Sequence, residues 1–340
     1  MGKPYEGASL HSQAADFPPS LVRDSPPATP QNDDDDDNNQ QTNWEWESVS
    51  GLEQQQRKSL GKLSTRGVYW KNPTQNACGC ALLLLFHGGD VDADGNCLFA
   101  AFQKAMRMNP NVTATDLRRK TVARFLHAYE SATPQEKEEI DRTIKNLYSP
   151  RLDAGWGVHL VQEHKLLAPK RDRYGLNASI QQLLQLSFVR ETAAECIYKE
   201  RCIVVEDGLS WGKYMSICGS SDDEYDIITL QYTEEGLLSV DENSQGRAAA
   251  FGDDIAIYTL ATEFNREIFV VQAHGSDGMI EDDDSCLFFL PHRPRSEIFH
   301  PPVFLFMKGT GWCGAGADHY EPLLAYPAPV ISQEKAAFVL

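Results

Sequence analysis

One cysteine stands where its thiol could act as a nucleophile. Residues 94–99 read DGNCLF, so Cys97 follows a tight turn and opens a stretch with helical spacing. A helix N-terminus stabilises a thiolate and lowers the pKa of a thiol placed there. Backbone N–H groups of the turn, including that of Cys97, would point outward as an oxyanion hole. The alternative is a buried cysteine that caps a core helix, and the pattern alone leaves both interpretations open.

A histidine near the end of the chain could supply the matching base. A Gly-rich segment spans residues 309–318, and His319 follows it at the start of an apolar stretch. A strand that begins after such a loop can present an imidazole beside a thiol that is distant in sequence. A histidine that enters a strand is more often structural, but its occurrence together with the Cys97 turn favours a cysteine–histidine pair.

The elements that must position this pair are both helices and strands. Residues 133–136 read TPQE, a capping box with proline at the first helical position, which predicts a helix start there. Further helices are predicted to begin near residues 97, 115 and 254, and residues 176–199 are predicted to form one or two more. The predicted strands are 81–86, 225–232, 267–272, 286–290, 303–308 and 319–325. This order predicts a mixed α/β or α+β domain.

Composition divides the chain into a tail and a globular part. Residues 1–65 are acidic and rich in proline, with Asp33 to Asp37 in one run, and we expect them to be disordered. Residues 66–330 have the composition of a folded domain, within which 219–247 is predicted to be an insertion. Residues 331–340 are expected to form a C-terminal extension.

Charge and cysteine usage exclude several classes of function. The net charge of -18 argues against nucleic-acid binding, which needs clustered lysine and arginine. The longest apolar run, 81–86, is far shorter than the ~20 residues of a membrane helix. Eight scattered cysteines without a signal peptide predict reduced thiols in the cytoplasm or the nucleus. Cys78 and Cys80 lack a matching pair of zinc ligands, so no metal is expected there.

The segment DGNCLF, together with His319 and Tyr320 near the end of the chain, resembles the ovarian tumour (OTU) family of cysteine deubiquitinases. Weaker similarities follow in the expected order at Leu117-Arg118, at 211–215 and at 251–261, so the resemblance covers roughly 66–327. The chain departs from the family pattern at three positions. They are Ala100, where the family has arginine, Phe251, where it has tryptophan, and Glu321, where aspartate or asparagine is common.

The resemblance implies an OTU-like fold with a small central sheet flanked by helices, and hydrolysis of isopeptide bonds between ubiquitin, or a ubiquitin-like modifier, and lysine. Cys97 would attack the carbonyl carbon, and His319 would take the thiol proton and later protonate the leaving amine. A carboxylate, that of Asp94 or of Glu321, would hold the imidazole. Asp94 could instead tie down N–H groups of its own turn. Ubiquitin or polyubiquitin chains and ubiquitinated proteins would be the partners, without a metal or organic cofactor.

Three other interpretations remain open from the sequence. A papain-like peptidase would cut ordinary peptides with the same pair of residues. An inactive scaffold would bind ubiquitin without cutting it, although it would have no need to retain both Cys97 and His319. An adaptor would act mainly through the N-terminal tail.

Overall fold

A computed structural model describes residues 56, 58–71, 82–153, 161–274, 286–309 and 319–328. The tail up to residue 55 and the C-terminal extension at 331–340 lie outside these residues. No helix in the described ranges combines the length and the apolar character that crossing a membrane requires.

The described chain is a mixed α and β fold, as predicted. Its helices are α1 (58–65), α2 (Cys97–Ala105), α3 (Ala114–Ser131), α4 (Pro134–Tyr148), α5 (Arg173–Gln185), α6 (Arg190–Arg201), α7 (Gly208–Ser216) and α8 (Asp254–Phe264). Its strands are β1 (Val68–Lys71), β2 (Leu82–His87), β3 (Gln162–Pro169), β4 (Ile203–Val204), β5 (Tyr225–Thr233), β6 (Gly236–Asp241), β7 (Ile268–His274), β8 (Cys286–His292), β9 (Val303–Lys308) and β10 (His319–Pro327).

Local sequence signals account for several of these boundaries. Helix α4 begins after Thr133 with the predicted capping box, in which the Thr133 hydroxyl accepts from the backbone of Glu136 and the Glu136 carboxylate binds the backbone of Thr133. Strand β9 occupies 303–308, as its apolar run predicts. The helix predicted after the Cys97 turn is α2, and its apolar face is buried through Leu98 and Phe102.

The main sheet has six strands in the order β1-β2-β10-β9-β7-β8, and β7 and β9 are its parallel pair. Both faces of this sheet are covered. Along β9, Val303, Leu305 and Met307 pack into a core with α2, α3, α7 and α8, whereas Phe304 and Phe306 pack into a second core on the opposite face. This alternation is the period of a strand buried on both sides.

Helix α1 lies on that opposite face, within the stretch that was predicted to be a disordered tail. The side chain of Leu63 is fully buried in the same core as Phe304 and Phe306, and Leu60 packs at its edge. A short helix next to an acidic, polar segment has little to distinguish it in composition, so the expected boundary at residue 66 falls inside the folded region.

The stretch 219–247, predicted to be an insertion, contributes half of a second sheet. Four strands pair in the order β4-β3-β5-β6, and β5 and β6 come from this stretch. Helices α5 and α6 cover the sheet, and their core includes Leu176, Ile180, Tyr198 and Leu230. The prediction of one small sheet missed this second one, because β3 pairs with a strand far along the chain.

We expect Leu63→Ala to lower the free energy of unfolding by about 3 kcal/mol, since it opens a cavity between α1 and the main sheet. Urea unfolding of the full chain measures it. Leu147→Ala, at an exposed leucine of α4, is the control and should stay within about 0.5 kcal/mol of wild type. Equal stability of the two variants would show that α1 does not contribute to the core.

Candidate functional site

The turn that precedes Cys97 is built around one carboxylate and one glycine. The carboxylate of Asp94 accepts hydrogen bonds from the backbone N–H of Asn96 at 2.8 Å and from its side-chain amide at 3.2 Å. Gly95 has φ +82°, and a Cβ at this position would lie 2.7 Å from the Cβ of Ala249. The turn therefore requires glycine both for its backbone angle and for its close neighbour.

A buried arginine from α3 makes hydrogen bonds to this turn. Arg118 is 0% exposed and donates to the side-chain oxygen of Asn96 at 2.9 Å, the carbonyl of Gly95 at 2.8 Å and the carbonyl of Met215 at 3.0 Å. Its guanidinium carbon lies 4.6 Å from the ring centroid of Phe99. Burial lowers the pKa of Arg118 to about 10, so the group still carries its charge at neutral pH.

The segment that carries β5 and β6 begins and ends beside the same turn. The side-chain amide of Asn96 donates to the carbonyl of Cys218 at 3.1 Å. Cys218 pairs with Ala249 in an isolated antiparallel bridge, which closes the neck of this stretch. The turn is thus held from α3 on one side and from this neck on the other.

The thiol of Cys97 is buried at the first residue of α2. Burial raises the pKa of Cys97, hydrogen bonds from backbone N–H groups of Tyr320 and Leu98 lower it, and the nearby charge of Asp94 raises it further, with a net increase. The expected lowering of the thiol pKa by the helix N-terminus is therefore wrong, because desolvation outweighs the N–H groups.

The first residues of β10 meet this thiol. The backbone N–H of Tyr320, which belongs to the peptide joining it to His319, lies within hydrogen-bonding range of the Cys97 sulfur. The ring of Tyr320 stacks on Phe251 with centroids 5.5 Å apart. His319 is half-buried and stands opposite Lys308 in the β9–β10 register. Cys97 and the start of β10 are therefore neighbours, although no hydrogen bond joins the thiol to the His319 imidazole among the described residues.

The carboxylate of Glu321 is buried and binds two basic side chains. It accepts from Nε2 of His87 at 2.7 Å, and its other oxygen accepts from the ammonium of Lys308. Burial alone would raise the pKa of Glu321, but the hydrogen bonds from His87 and Lys308 outweigh it, and the pKa is lowered. The imidazole that Glu321 holds is that of His87, on the adjacent strand β2.

Neither predicted carboxylate contacts His319 within the described part of the chain. The hydrogen bonds of Asp94 lie inside its own turn, which is the alternative role considered for it. Its bond to the N–H of Asn96 also removes that group from an oxyanion hole. Orientation of His319 by either carboxylate stays a prediction. Sequence reasoning missed His87 and Lys308, since their proximity to Glu321 depends on the order of strands in the sheet.

One group of side chains in the described ranges has the donor types for a metal ion. The ligand atoms of His87, Asp90 and Glu321 lie within 4.8 Å of one another. The carboxylate of Glu321 already carries hydrogen bonds from His87 and from the cationic Lys308. A positive charge beside the same carboxylate opposes a bound cation, so His87, Glu321 and Lys308 are better described as an ion-pair network.

No family model and no curated protein matches the chain.

Arg118→Met is expected to lower the free energy of unfolding by about 3 kcal/mol or more, because it leaves the acceptors of Asn96, Gly95 and Met215 buried without a donor. Urea unfolding is the measurement. Arg119→Met, the exposed neighbour on the same helix, should change it by less than about 0.5 kcal/mol. A loss in Arg118→Met as small as that of the control would exclude the supporting role.

Glu321→Gln is expected to cost about 2 kcal/mol of stability at pH 7, through weaker hydrogen bonds to His87 and Lys308. Since the folded-state pKa of Glu321 lies below its ordinary value of 4.5, the carboxylate stabilises the protein above that pH, and the effect disappears as the pH falls through the folded value. Unfolding free energies at pH 7 and pH 3 should show the difference shrinking. Asp90→Asn, at an exposed neighbour, is the control, and a difference constant with pH would contradict the assignment.

Proposed function

We propose that the protein is a cysteine hydrolase of the OTU type that cleaves isopeptide bonds between ubiquitin, or a ubiquitin-like modifier, and lysine. One observation carries the proposal: the Cys97 thiol, at the first residue of α2, lies against the peptide that joins His319 to Tyr320. The thiol and the residue that carries the proposed base, which are distant in sequence, are thereby close in the fold, which supports a nucleophile–base pair. The resemblance of DGNCLF and of His319-Tyr320 to the OTU family supplies the substrate class.

In the proposed reaction the thiol loses its proton as it attacks. Burial raises the pKa of Cys97, so a standing thiolate is disfavoured, and His319 must take the proton while sulfur bonds to the isopeptide carbonyl carbon. The C–N bond then breaks, and His319 returns the proton to the lysine amine. The modifier stays on Cys97 as a thioester. Water, deprotonated by His319, hydrolyses the thioester and releases a free carboxyl group together with the restored thiol.

The hydrogen bond between base and nucleophile must tighten when substrate binds. Catalytic hydrogen bonds are often long or poorly aligned before the substrate is present. The Cys97 end is preorganised, because Arg118 and Asp94 hold its turn through hydrogen bonds. The His319 end is less constrained, since neither Asp94 nor Glu321 contacts its ring among the described residues.

Charge supports the choice of partner in a general way. A net charge of -18 complements a basic segment of a modifier and repels nucleic acid. We propose ubiquitin or polyubiquitin chains and ubiquitinated proteins as partners, in the cytoplasm or the nucleus, where the thiol stays reduced.

The full-length protein is expected to cleave di-ubiquitin and to form a covalent adduct at Cys97 with ubiquitin that carries an electrophilic C-terminus. Cys97→Ala should abolish both reactions, and His319→Ala should slow cleavage by at least about a hundredfold because the general base is lost. Gel assays of cleavage, with mass spectrometry to locate the adduct, measure these outcomes.

Cys196→Ala is the matched control, since this thiol is exposed on the surface of the fold, and it should keep wild-type activity. An adduct mapped to Cys196 or Cys202 would exclude Cys97 as the nucleophile. Rapid cleavage of short generic peptides, with no preference for ubiquitin, would instead indicate a peptidase of the papain type.

A further inference from the structure

Gln56, a helical residue two positions before α1, binds Gly309, the residue directly after β9, with both halves of its side-chain amide. Its nitrogen donates to the carbonyl of Gly309 at 2.9 Å, and its oxygen accepts from the backbone N–H of Gly309 at 3.3 Å. Gln56 is only 7% exposed. A buried side chain thus satisfies both backbone groups of one residue, as a neighbouring strand would.

The residue that Gln56 binds needs such a constraint. Gly309 has φ +123°, a backbone angle that residues with a side chain rarely adopt. Glycine is the most conformationally free residue, so the end of β9 would be mobile without an external partner. The two hydrogen bonds from Gln56 fix it against α1.

The position of Gly309 connects this contact to the candidate site. The preceding residue, Lys308, pairs with His319 in the register of β9 and β10, and its ammonium binds the buried carboxylate of Glu321. A displacement at the end of β9 would therefore move the strand that lies beside His319. Misplacement of a catalytic group by 1 Å can cost about a hundredfold in rate.

Helix α1 contacts β9 at a second place. Leu63, two turns along the helix, is fully buried in the core shared with Phe304 and Phe306 of β9. The helix thus packs on the middle of β9 through Leu63 and binds its end through Gln56.

We propose that Gln56 is a positioning residue that aligns His319 through the end of β9. The helical segment around Gln56 would then determine the position of the proposed base. This inference rests on the proposed function, because it assigns a catalytic consequence to the alignment of His319. The competing explanation is that Gln56 only stabilises the fold.

The test compares steady-state cleavage of di-ubiquitin by full-length Gln56→Ala and Leu63→Ala. Gln56→Ala should lower kcat by about tenfold or more while KM stays within about twofold, because binding surfaces away from β9 are unaltered. Leu63→Ala destabilises the same helix without removing a contact to Gly309, and its kcat should stay within about twofold when assayed well below its melting temperature. Ser59→Ala, at a buried hydroxyl on α1 without a partner among the described residues, should match wild type.

Two results would overturn the inference. One is a kcat within twofold of wild type in Gln56→Ala, and the other is a loss of kcat in Leu63→Ala equal to that in Gln56→Ala. If Gln56→Ala does not fold, Gln56→Glu serves instead, since it keeps the size and the acceptor but loses the donor to the Gly309 carbonyl. It should lower kcat in the same direction.

Hydrogen exchange separates failure of this inference from failure of the proposed function. If the wild-type protein cleaves no ubiquitin substrate, the catalytic proposal fails, yet Gln56→Ala should still raise amide exchange in 303–309 and 319–327 relative to Ser59→Ala. Unchanged exchange in both segments would show that Gln56 positions nothing near His319.

Discussion

The buried guanidinium of Arg118 is the interaction on which the geometry of the nucleophile depends. A charged group with no solvent contact must have its donors satisfied, and Arg118 uses them on Asn96, Gly95 and Met215. The conformation of the turn before Cys97 thus depends on the packing of α3. The C-terminal end of α7 and the neck at Cys218 lie at the same turn, so the folding of three separate segments determines where one thiol lies.

Local signals explain what the sequence could predict. The capping box at Thr133 specifies the start of α4 through hydrogen bonds between residues three apart, and the apolar run 303–308 specifies β9 because both its faces are covered. The turn before Cys97 combines a glycine with a helix start, so its position was visible as well. Each of these features is complete within a few residues, and no knowledge of the fold is needed to recognise it.

The features that sequence reasoning missed depend on distant partners. The side chains of Glu321 and Lys308 meet only because β9 and β10 are adjacent, and His87 joins them only because β2 lies on the other side of β10. The raised pKa of Cys97 reflects how deeply the folded chain buries it, which a helix N-terminus in the sequence does not reveal. Helix α1 was missed for the same reason, since its place in the fold is established by the core beneath Leu63.

The second sheet limits which segments of this chain could have been inserted or deleted as a unit. Strand β3 pairs with β5 along the whole length of β3, yet the two strands come from stretches separated by α5, α6, β4 and α7. Excision of 219–247 as a single cassette would leave β3 with an open edge and would uncover the core around Tyr198. Unlike an ordinary loop insertion, this part of the fold is not modular. Recombination could transfer the sheet between proteins only as the continuous stretch from β3 to β6, which includes α7 and the neck beside the Cys97 turn.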